Sequence, residues 1–181
     1  MSIRRISFFG GPHSRKSTIA AKLFGDLKEL KYEVENVQEY IKEWTYTNRF
    51  PESFDQVFLL AEQIRREDIF LRSGVPLIIT DCPPLINSFY TEHTECPFVK
   101  QSVEIAQMFD EKFPSLNIFI NVKRDKDSYN ENGRFHSFEE AQYIDGAMLA
   151  FIIKHCGKDN VFALPGKYDV IKEFVLEKLD G

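Results

Sequence analysis

The sequence lacks several features that would place it in a specialised class of protein. It has only three cysteines among its 181 residues, and no two of them form a CxxC pair. Neither a structural zinc site nor a disulfide framework is therefore expected, and free thiols in a reducing cytoplasm are the simplest interpretation. No apolar run is long enough for a membrane span or for the core of a signal peptide. We expect a cytoplasmic protein with no membrane partner.

An excess of positive charge is also lacking, because the formal net charge is -5. This argues against the broad basic surface of a dedicated nucleic-acid-binding protein, whereas a local cluster of cations around a small anionic substrate remains compatible. The hydrophobic fraction of 43% and the charged fraction of 28% are typical of soluble globular proteins. With no repeat, linker or low-complexity tract in view, we predict a single domain over residues 1–181.

Short apolar runs alternate with longer segments of helical period, which predicts parallel strands joined by crossover helices. The expected fold is an α/β three-layer sandwich around a five-stranded parallel sheet. The predicted strands are Ile3 to Phe9, Glu33 to Val37, Leu77 to Thr80, Leu116 to Val122 and Val161 to Leu164. The predicted helices are Lys16 to Leu30, Phe54 to Leu71, Val103 to Phe113, Phe138 to His155 and Tyr168 to Leu179. Ser137 and Glu140 form a capping-box pattern, which predicts a helix start at Phe138.

A glycine-containing loop follows the first predicted strand and has the sequence Gly10-Gly11-Pro12-His13-Ser14-Arg15-Lys16-Ser17. It fits the phosphate-binding pattern GxxxxGK[ST] at Gly10, Lys16 and Ser17. In such a loop, here extending to Thr18, backbone N–H groups and the helix N-terminus surround the phosphates, the lysine reaches the β and γ phosphates, and the serine hydroxyl ligates magnesium. The pattern predicts ATP and Mg²⁺ as cofactors. The alternative is a glycine turn before an ordinary amphipathic helix.

Arg15 occupies the position where this pattern has its second glycine. A side chain there lies close to the phosphates, so it either crowds the loop or adds a charge-assisted contact. The backbone N–H that contacts phosphate is kept in both cases. A crowded loop would favour a non-catalytic nucleotide-binding subunit over an enzyme.

Two acids are expected at the carboxyl ends of predicted strands, where ligands bind in a doubly wound sheet. Glu39 follows the second strand and is placed to orient or deprotonate an acceptor hydroxyl, or else is a solvated acid at a helix N-terminus. Asp81 ends the third strand in the Walker B arrangement and would ligate magnesium or act as the base, or else caps the strand. Which of the two acids is the base stays open.

Further candidates for substrate contact lie between and beside these acids. Trp44 is the only tryptophan and would form either a wall of the substrate site or part of the core. The helix between the acids carries Gln56, Gln63, Arg65 and Arg66, whose polar face suits a base or a phosphate. The alternative for each of the four is ordinary surface. From this group Gln63 and Arg66 are our substrate-binding candidates.

A polar loop after the fourth predicted strand has basic residues at both ends, among them Arg124 and Arg134. Such a loop suits a lid whose arginines neutralise charge that develops on the transferred phosphoryl group. Arg124 and Arg134 are therefore catalytic candidates together with Lys16. The alternative is a surface loop with solvated charges.

The motifs above resemble the family of small phage P-loop kinases that also contains the nicotinamide riboside kinase domain. The resemblance covers nearly the whole chain and is most specific after residue 128. It rests on the phosphate loop, Gln38-Glu39-Tyr40, the helix around Gln63, Asp81, Tyr129-Asn130-x-x-Gly133-Arg134, Glu139-Glu140-Ala141 and Ile144-Asp145. It implies a P-loop kinase fold with a lid loop and an ATP-dependent phosphotransferase. Some members phosphorylate 5-hydroxymethyluracil in phage DNA, a step in DNA modification, and a phage-encoded member would act in the host cytoplasm.

Glu39 and Trp44 also resemble deoxynucleoside kinases, in which a glutamate after the second strand is the base and a tryptophan five residues later borders the nucleoside. Those kinases carry Glu-Arg-Ser after the third strand, whereas this chain has Asp81-Cys82-Pro83, so membership is not implied. Both resemblances imply a nucleoside-like acceptor.

The leading hypothesis is a kinase of a nucleoside, a nucleotide or a modified base, and the competing hypothesis is a nucleotide-dependent ATPase or switch protein. The acceptor is either a free small molecule or modified DNA. A local basic groove formed by Arg65, Arg66, Arg124 and Arg134 would reconcile DNA binding with the negative net charge. The oligomeric state is open.

Overall fold

The computed structural model describes residues 3–52, 54–94, 96–123 and 137–181. Within these ranges the strands are β1 Arg5–Phe9, β2 Val34–Val37, β3 Leu77–Thr80, β4 Ser115–Asn121 and β5 Val161–Pro165. The helices of the same ranges are α1 Lys16–Glu29, α2 Lys42–Tyr46, α3 Asp55–Arg72, α4 Pro84–His93, α5 Val99–Lys112, α6 Phe138–Cys156 and α7 Tyr168–Asp180. A short 3₁₀ turn, Lys158–Asn160, precedes β5.

The five strands form one parallel sheet in the order β2-β3-β1-β4-β5. This confirms the five-stranded parallel sheet expected from the sequence. Because all strands point the same way, their carboxyl ends lie along one edge of the sheet. Strand β1 pairs with both β3 and β4, so the loop that follows β1 emerges in the middle of that edge.

Helices cover both faces of the sheet, as the apolar character of the strands requires. On one face, α1 and α7 pack against a cluster that includes Ile6, Phe8 and Ile118. On the other face, α4, α5 and α6 pack against Phe9 and Phe119, and α3 contributes to a neighbouring cluster around Ile78. The sheet is therefore the middle of three layers, and only its edges and strand ends are available for a site.

Two helices lie where the sequence pattern predicts none, and both border the candidate site. Helix α2 follows β2 and has about one and a half turns. Helix α4 begins at Pro84, the last residue of a Cys-Pro-Pro segment that is typical of a turn. Helix α5 also begins four residues before the predicted Val103. The capping box is confirmed, since Ser137 and Glu140 exchange both hydrogen bonds at the start of α6.

None of the helices in the described ranges is both long enough and apolar enough to cross a lipid bilayer.

Candidate active site

The turn from β1 into α1 requires glycine at its first position. Gly10 has a φ of 143°, and a Cβ atom there would lie 2.8 Å from the Ser14 Oγ and 3.2 Å from the Ile120 carbonyl oxygen. Neither the backbone angle nor the space admits another residue without strain. The loop then passes through left-handed conformations at His13 and Arg15, with φ values of 62° and 69°. This path delivers the chain to the first turn of α1.

The Lys16 side chain folds back across the mouth of this loop. Its Nζ donates hydrogen bonds to the carbonyl oxygens of Gly10 at 2.7 Å and Gly11 at 3.2 Å. The ammonium group is thus held over the concave side of the loop, where a phosphate-binding lysine must lie. The role of Lys16 in binding phosphate stays a prediction.

Arg15 is the N-cap residue of α1 and makes no side-chain capping hydrogen bond. Its left-handed backbone explains why the motif usually has glycine here, because a left-handed conformation costs an ordinary residue about 1–2 kcal/mol. The side chain is exposed and lines the cavity described below. Arg15 therefore projects from the loop instead of filling it.

Helix α6 is tied to the same loop by a side chain. The backbone N–H of Gly11 donates to the Asp145 Oδ1 at 2.8 Å, across 134 positions of the sequence. Gly11 is buried, so this carboxylate satisfies a loop amide that would otherwise be costly to leave unpaired. The phosphate loop is in this way fixed to the helix on the far face of the sheet.

The two predicted acids are brought together at the edge of the sheet. Asp81 is 3% exposed, and its Oδ1 accepts a hydrogen bond of 2.9 Å from the backbone N–H of Glu39. The end of β3 therefore holds the segment that follows β2. Glu39 itself is partly exposed and lines the cavity, as do Lys16 and Ser17.

A cavity of about 360 Å³ opens at this edge. One half is lined by the phosphate loop and the start of α1, from Pro12 to Thr18. The other half is lined by Glu39, Ile41, Lys42, Thr45, Phe50, Pro51, Gln56, Cys82, Ile86, Asn87, Tyr90 and Thr94. We call these the phosphate half and the distal half. A volume of this size falls within the range of small-molecule sites.

The residues present fit a nucleotide phosphate with magnesium. Gly10 keeps the floor of the loop open, and Lys16 supplies a cation at its mouth. The Ser17 hydroxyl and the Asp81 carboxylate are the oxygen donors that magnesium prefers, and magnesium in phosphate-transfer sites uses few protein carboxylates because phosphates and water complete its shell. Consistently, the described ranges contain no cluster of three or more potential metal-ligating acids, histidines or cysteines.

Cys82 lies beside these groups and is 4% exposed. Burial raises the pKa of its thiol well above the usual value, and the nearby negative charges of Glu39 and Asp81 raise it further. The thiol is therefore protonated at neutral pH and acts as a small apolar wall of the cavity.

Three residues predicted to contact substrate lie elsewhere. Gln63 is 1% exposed, and its Nε2 donates to the Glu67 Oε1 at 3.1 Å, beneath the sheet edge. Trp44 is 5% exposed and stacks on Phe58 with ring centroids 6.2 Å apart. Arg66 pairs with Glu62, at 3.0 Å, and lies over the ring of Tyr40. None of the three is among the residues that line the cavity in the described part of the chain.

The described half of the predicted basic groove is partly neutralised. Arg65 and Arg66 both pair with Glu62, at 2.7 and 3.0 Å. Hydrogen bonds from Arg65 and Arg66 lower the pKa of Glu62 to about 2, so this carboxylate is charged at neutral pH. The other two members of the groove, Arg124 and Arg134, lie outside the described residues together with the whole segment from Tyr129 to Arg134.

The distal half contains several residues that sequence reasoning did not select. Ile86, Asn87 and Tyr90 share one face of α4, at the spacing of a helix, and Thr94 is the C-cap of that helix. In the sequence, Gln56 is one of four polar residues of its helix, and nothing distinguishes it from the other three. For α4, the feature that indicates a helix is Pro84, since proline is favoured at the first position of a helix.

Comparison with solved structures finds similar folds at low sequence identity. A NadR protein in complex with NR matches with a TM-score of 0.75 and 12% identity over 99% of this chain and 52% of the other. A NadR protein in complex with NAD and AMP-PNP matches with a TM-score of 0.74 and 11% identity over 99% and 50%. This chain thus spans about half the length of both.

Thymidylate kinase from Ehrlichia chaffeensis matches with a TM-score of 0.65 and 14% identity over 99% of this chain and 100% of the other. This chain therefore has the same overall fold as these solved structures. No protein-family model and no curated protein sequence matches the chain.

Proposed function

We propose that this protein is an ATP-dependent phosphotransferase that moves the γ-phosphoryl group of ATP to a hydroxyl of a nucleoside-like acceptor. The observation that carries the proposal is the joining of two half-sites in one cavity. A phosphate loop with its lysine forms one half, and Glu39 borders the other half beside the buried Asp81. A protein that only bound nucleotide would need the first half alone.

Different residues have different roles in the proposed phosphoryl transfer. The loop N–H groups and Lys16 bind the phosphates and stabilise the negative charge that spreads over them in the transition state. Glu39, the acid that lines the cavity, orients the acceptor hydroxyl and takes its proton. Asp81 holds the Glu39 segment through its 2.9 Å hydrogen bond.

Ser17 and Asp81 would hold magnesium, which would supply positive charge to the phosphates during transfer. The arginines at 124 and 134, where a lid is expected from the sequence, are proposed to add positive charge on the side of the transferred group.

The acceptor is a free nucleoside or nucleotide, or a modified base such as 5-hydroxymethyluracil in phage DNA. A free molecule is the simpler proposal for two reasons. The net charge is negative, and Arg65 and Arg66 are already paired with Glu62. DNA binding would have to rely on other cations.

The direct test is incubation with γ-labelled ATP and magnesium in the presence of nucleosides, nucleotides or DNA that contains 5-hydroxymethyluracil. Label is expected to move to one class of acceptor, and the variant Lys16→Ala is expected to abolish transfer. Lys100→Ala, at an exposed position of α5, is the matched control and is expected to keep full activity. ATP hydrolysis without any labelled acceptor would contradict the proposal.

The separate roles proposed for Glu39 and Asp81 are tested with one variant of each. Glu39→Gln is expected to lower kcat by about 100-fold or more while ADP binding is kept, because only proton transfer is lost. Asp81→Asn is expected to lower kcat and also to raise the magnesium concentration required for half-maximal rate. If the two variants showed the same magnesium dependence, the separate roles would be wrong.

A further inference from the structure

The backbone of Glu39 is fixed by Asp81, whereas the residue that follows Glu39 is held by a different element. In the described part of the chain, the side chain of Tyr40 is not among those that line the cavity. Its ring packs instead against helix α3, with the ring centroid of Phe58 at 5.6 Å. The segment that carries the proposed base is therefore attached at two points, to the end of β3 through Asp81 and to α3 through Tyr40.

One face of α3 makes this second attachment. Phe58, Glu62 and Arg66 are spaced four residues apart, so they lie on the same face of the helix. The Arg66 guanidinium lies over the Tyr40 ring, 4.6 Å from its centroid, which is a cation–π contact. The Arg66 Nε donates a hydrogen bond of 3.0 Å to Glu62, and its Nη2 lies 3.8 Å from the Glu43 Oε1. The Tyr40 ring is thus in contact with both Phe58 and Arg66.

The same contacts extend to helix α2, which follows Tyr40. Trp44 of α2 stacks on Phe58 and meets the edge of the Tyr40 ring, with centroids 6.3 Å apart. Neither Trp44 nor Arg66 lines the cavity in the described ranges, but both contact the residue next to Glu39. They are therefore placed to act on the site through Tyr40.

We propose that Arg66 is a positioning residue, which orients Glu39 towards the acceptor hydroxyl by fixing the ring of Tyr40 against α3. This inference rests on the proposed kinase function and adds a residue to the half of the site that accepts the proton. Glu39 takes the proton of the acceptor hydroxyl, and Arg66 touches neither the acceptor nor ATP. A displacement of about 1 Å in a catalytic group can cost about 100-fold in rate, so a contact outside the cavity can control kcat.

Arg66→Met tests this role, because it keeps most of the length of the side chain and removes the cation. Glu62 keeps its two hydrogen bonds from Arg65, at 2.7 and 2.8 Å, so that acid is not left without a partner. The rate of transfer from γ-labelled ATP to nucleosides and nucleotides, at saturating acceptor, is expected to fall about tenfold, the size expected of a partly buried cation–π contact. The dissociation constant of ADP is expected to stay as in the wild type, since the phosphate loop is unchanged.

Two variants of the same helix are the controls. Arg66→Lys keeps a cation over the Tyr40 ring and is expected to restore most of the rate. Arg72→Met removes an arginine that also pairs with an acid four residues earlier, Asp68, and whose side chain is 64% exposed, so it is expected to keep the full rate. If Arg66→Lys were as slow as Arg66→Met, the cation over Tyr40 would not be responsible and the proposal would be overturned.

Combination with Glu39→Gln shows whether Arg66 acts through Glu39. In the Glu39→Gln background, Arg66→Met is expected to cause little further loss of rate, because the group that Arg66 positions has already lost its function. A variant that only weakened the fold would lower the rate in both backgrounds. An equal loss of about tenfold in both would mean that the two residues act independently, which would overturn the proposal.

Trp44 reports on the same contacts without any reaction. It is the only tryptophan of the chain and is 5% exposed. Quenching of its fluorescence by acrylamide is expected to increase in Arg66→Met, because a released Tyr40 ring no longer covers the edge of the indole, and to stay unchanged in Arg72→Met. Unchanged quenching in Arg66→Met would show that the segment does not depend on Arg66 and would overturn the proposal.

Failure of this proposal and failure of the kinase function are distinguishable. Phosphoryl transfer that stays at the wild-type rate in Arg66→Met would keep the kinase function and exclude the positioning role. If the wild type transferred label to no acceptor, the kinase function would fail and with it the catalytic consequence of Arg66. Increased quenching in Arg66→Met would in that case still show that Arg66 holds the Glu39 segment.

Discussion

Arg15 strains the backbone of the phosphate loop and at the same time adds positive charge to it. Its backbone is left-handed, with a φ of 69°, so the position is strained for any residue other than glycine. Its guanidinium lies at the cavity, where it adds positive charge next to Lys16. A glycine would relieve the strain and lose the charge.

Substitution separates the two effects. Arg15→Gly is expected to raise the free energy of unfolding by about 1 kcal/mol, because the left-handed strain disappears. Arg15→Ala keeps the strain and is expected to leave stability within about 0.5 kcal/mol of wild type. Urea unfolding measures both changes.

Both Arg15 variants are expected to bind ATP about two- to fivefold more weakly, since an exposed charge pair contributes about 0.2–1 kcal/mol. Calorimetry with ATP and magnesium measures this affinity. If Arg15→Gly instead bound ATP more tightly, the arginine would be crowding the loop and the natural site would be impaired.

At the level of single elements, the sequence pattern locates the sheet well and the distal half of the cavity poorly. The strands and the phosphate loop are predictable because each combines a local composition with a local function: buried apolar runs, then glycines, then Lys-Ser. Asp81 is predictable for the same reason, as the polar end of a buried strand. These features depend little on the rest of the chain.

Helix α4 is harder to predict because its role is set by tertiary structure. It is short, seven of its ten residues are buried, and its Cys-Pro-Pro start reads as a turn. Because the sequence pattern does not reveal α4, it does not reveal that Asn87 and Tyr90 line the cavity. Trp44 and Gln63 were selected instead on residue type, although packing assigns them to the interior.

Helix α6 acts on the phosphate loop from across the sheet through Asp145. Asp145→Ala is expected to lower stability by about 1–3 kcal/mol, because the buried N–H of Gly11 loses its acceptor. It is also expected to weaken ATP binding by about tenfold, since the loop is no longer held in its binding conformation. Asp145→Asn keeps an acceptor oxygen and is expected to restore most of both properties.

Asp159→Ala, on the exposed 3₁₀ turn after α6, controls for the loss of an acid and is expected to change neither property. If Asp145→Asn proved as damaging as Asp145→Ala, the charge of Asp145 and not its hydrogen bond to Gly11 would be what matters. ATP calorimetry and urea unfolding distinguish the two cases.

For the whole molecule, a buried ionic network joins the central strand to two helices. Arg5 of β1 is fully buried and pairs with Glu67 of α3 at 2.8 Å and with Asp110 of α5. Burial opposes the charge on Arg5, but the two carboxylates offset it, and the pKa of Arg5 is raised. The Glu67 Oε1 also accepts a hydrogen bond of 3.0 Å from Thr80, the residue before Asp81. The network therefore reaches from the core to the active-site edge.

Breaking this network is expected to be costly because the buried Arg5 loses one of the two carboxylates it pairs with and keeps Asp110. Glu67→Gln is expected to lower the free energy of unfolding by about 1–3 kcal/mol, measured by urea denaturation. Glu35→Gln removes the surface pair between Lys28 and Glu35, whose side chains are 42% and 38% exposed, and is expected to cost less than about 1 kcal/mol. If both variants lost a similar free energy of unfolding, the buried pair between Arg5 and Glu67 would contribute no more to stability than the surface pair between Lys28 and Glu35.

Thr80→Val tests whether this network only stabilises the fold or also positions Asp81. The substitution keeps the shape of the side chain and the pair between Arg5 and Glu67, but removes the hydrogen bonds of the Thr80 hydroxyl with Glu67, Gln63 and the backbone N–H of Cys82. Stability is expected to fall by only about 1–2 kcal/mol, while the magnesium dependence of phosphoryl transfer shifts in the same direction as in Asp81→Asn. A variant with lowered stability and an unchanged magnesium requirement would mean that the network supports the fold without positioning Asp81, and the coupling from core to site would then rest on Asp145 alone.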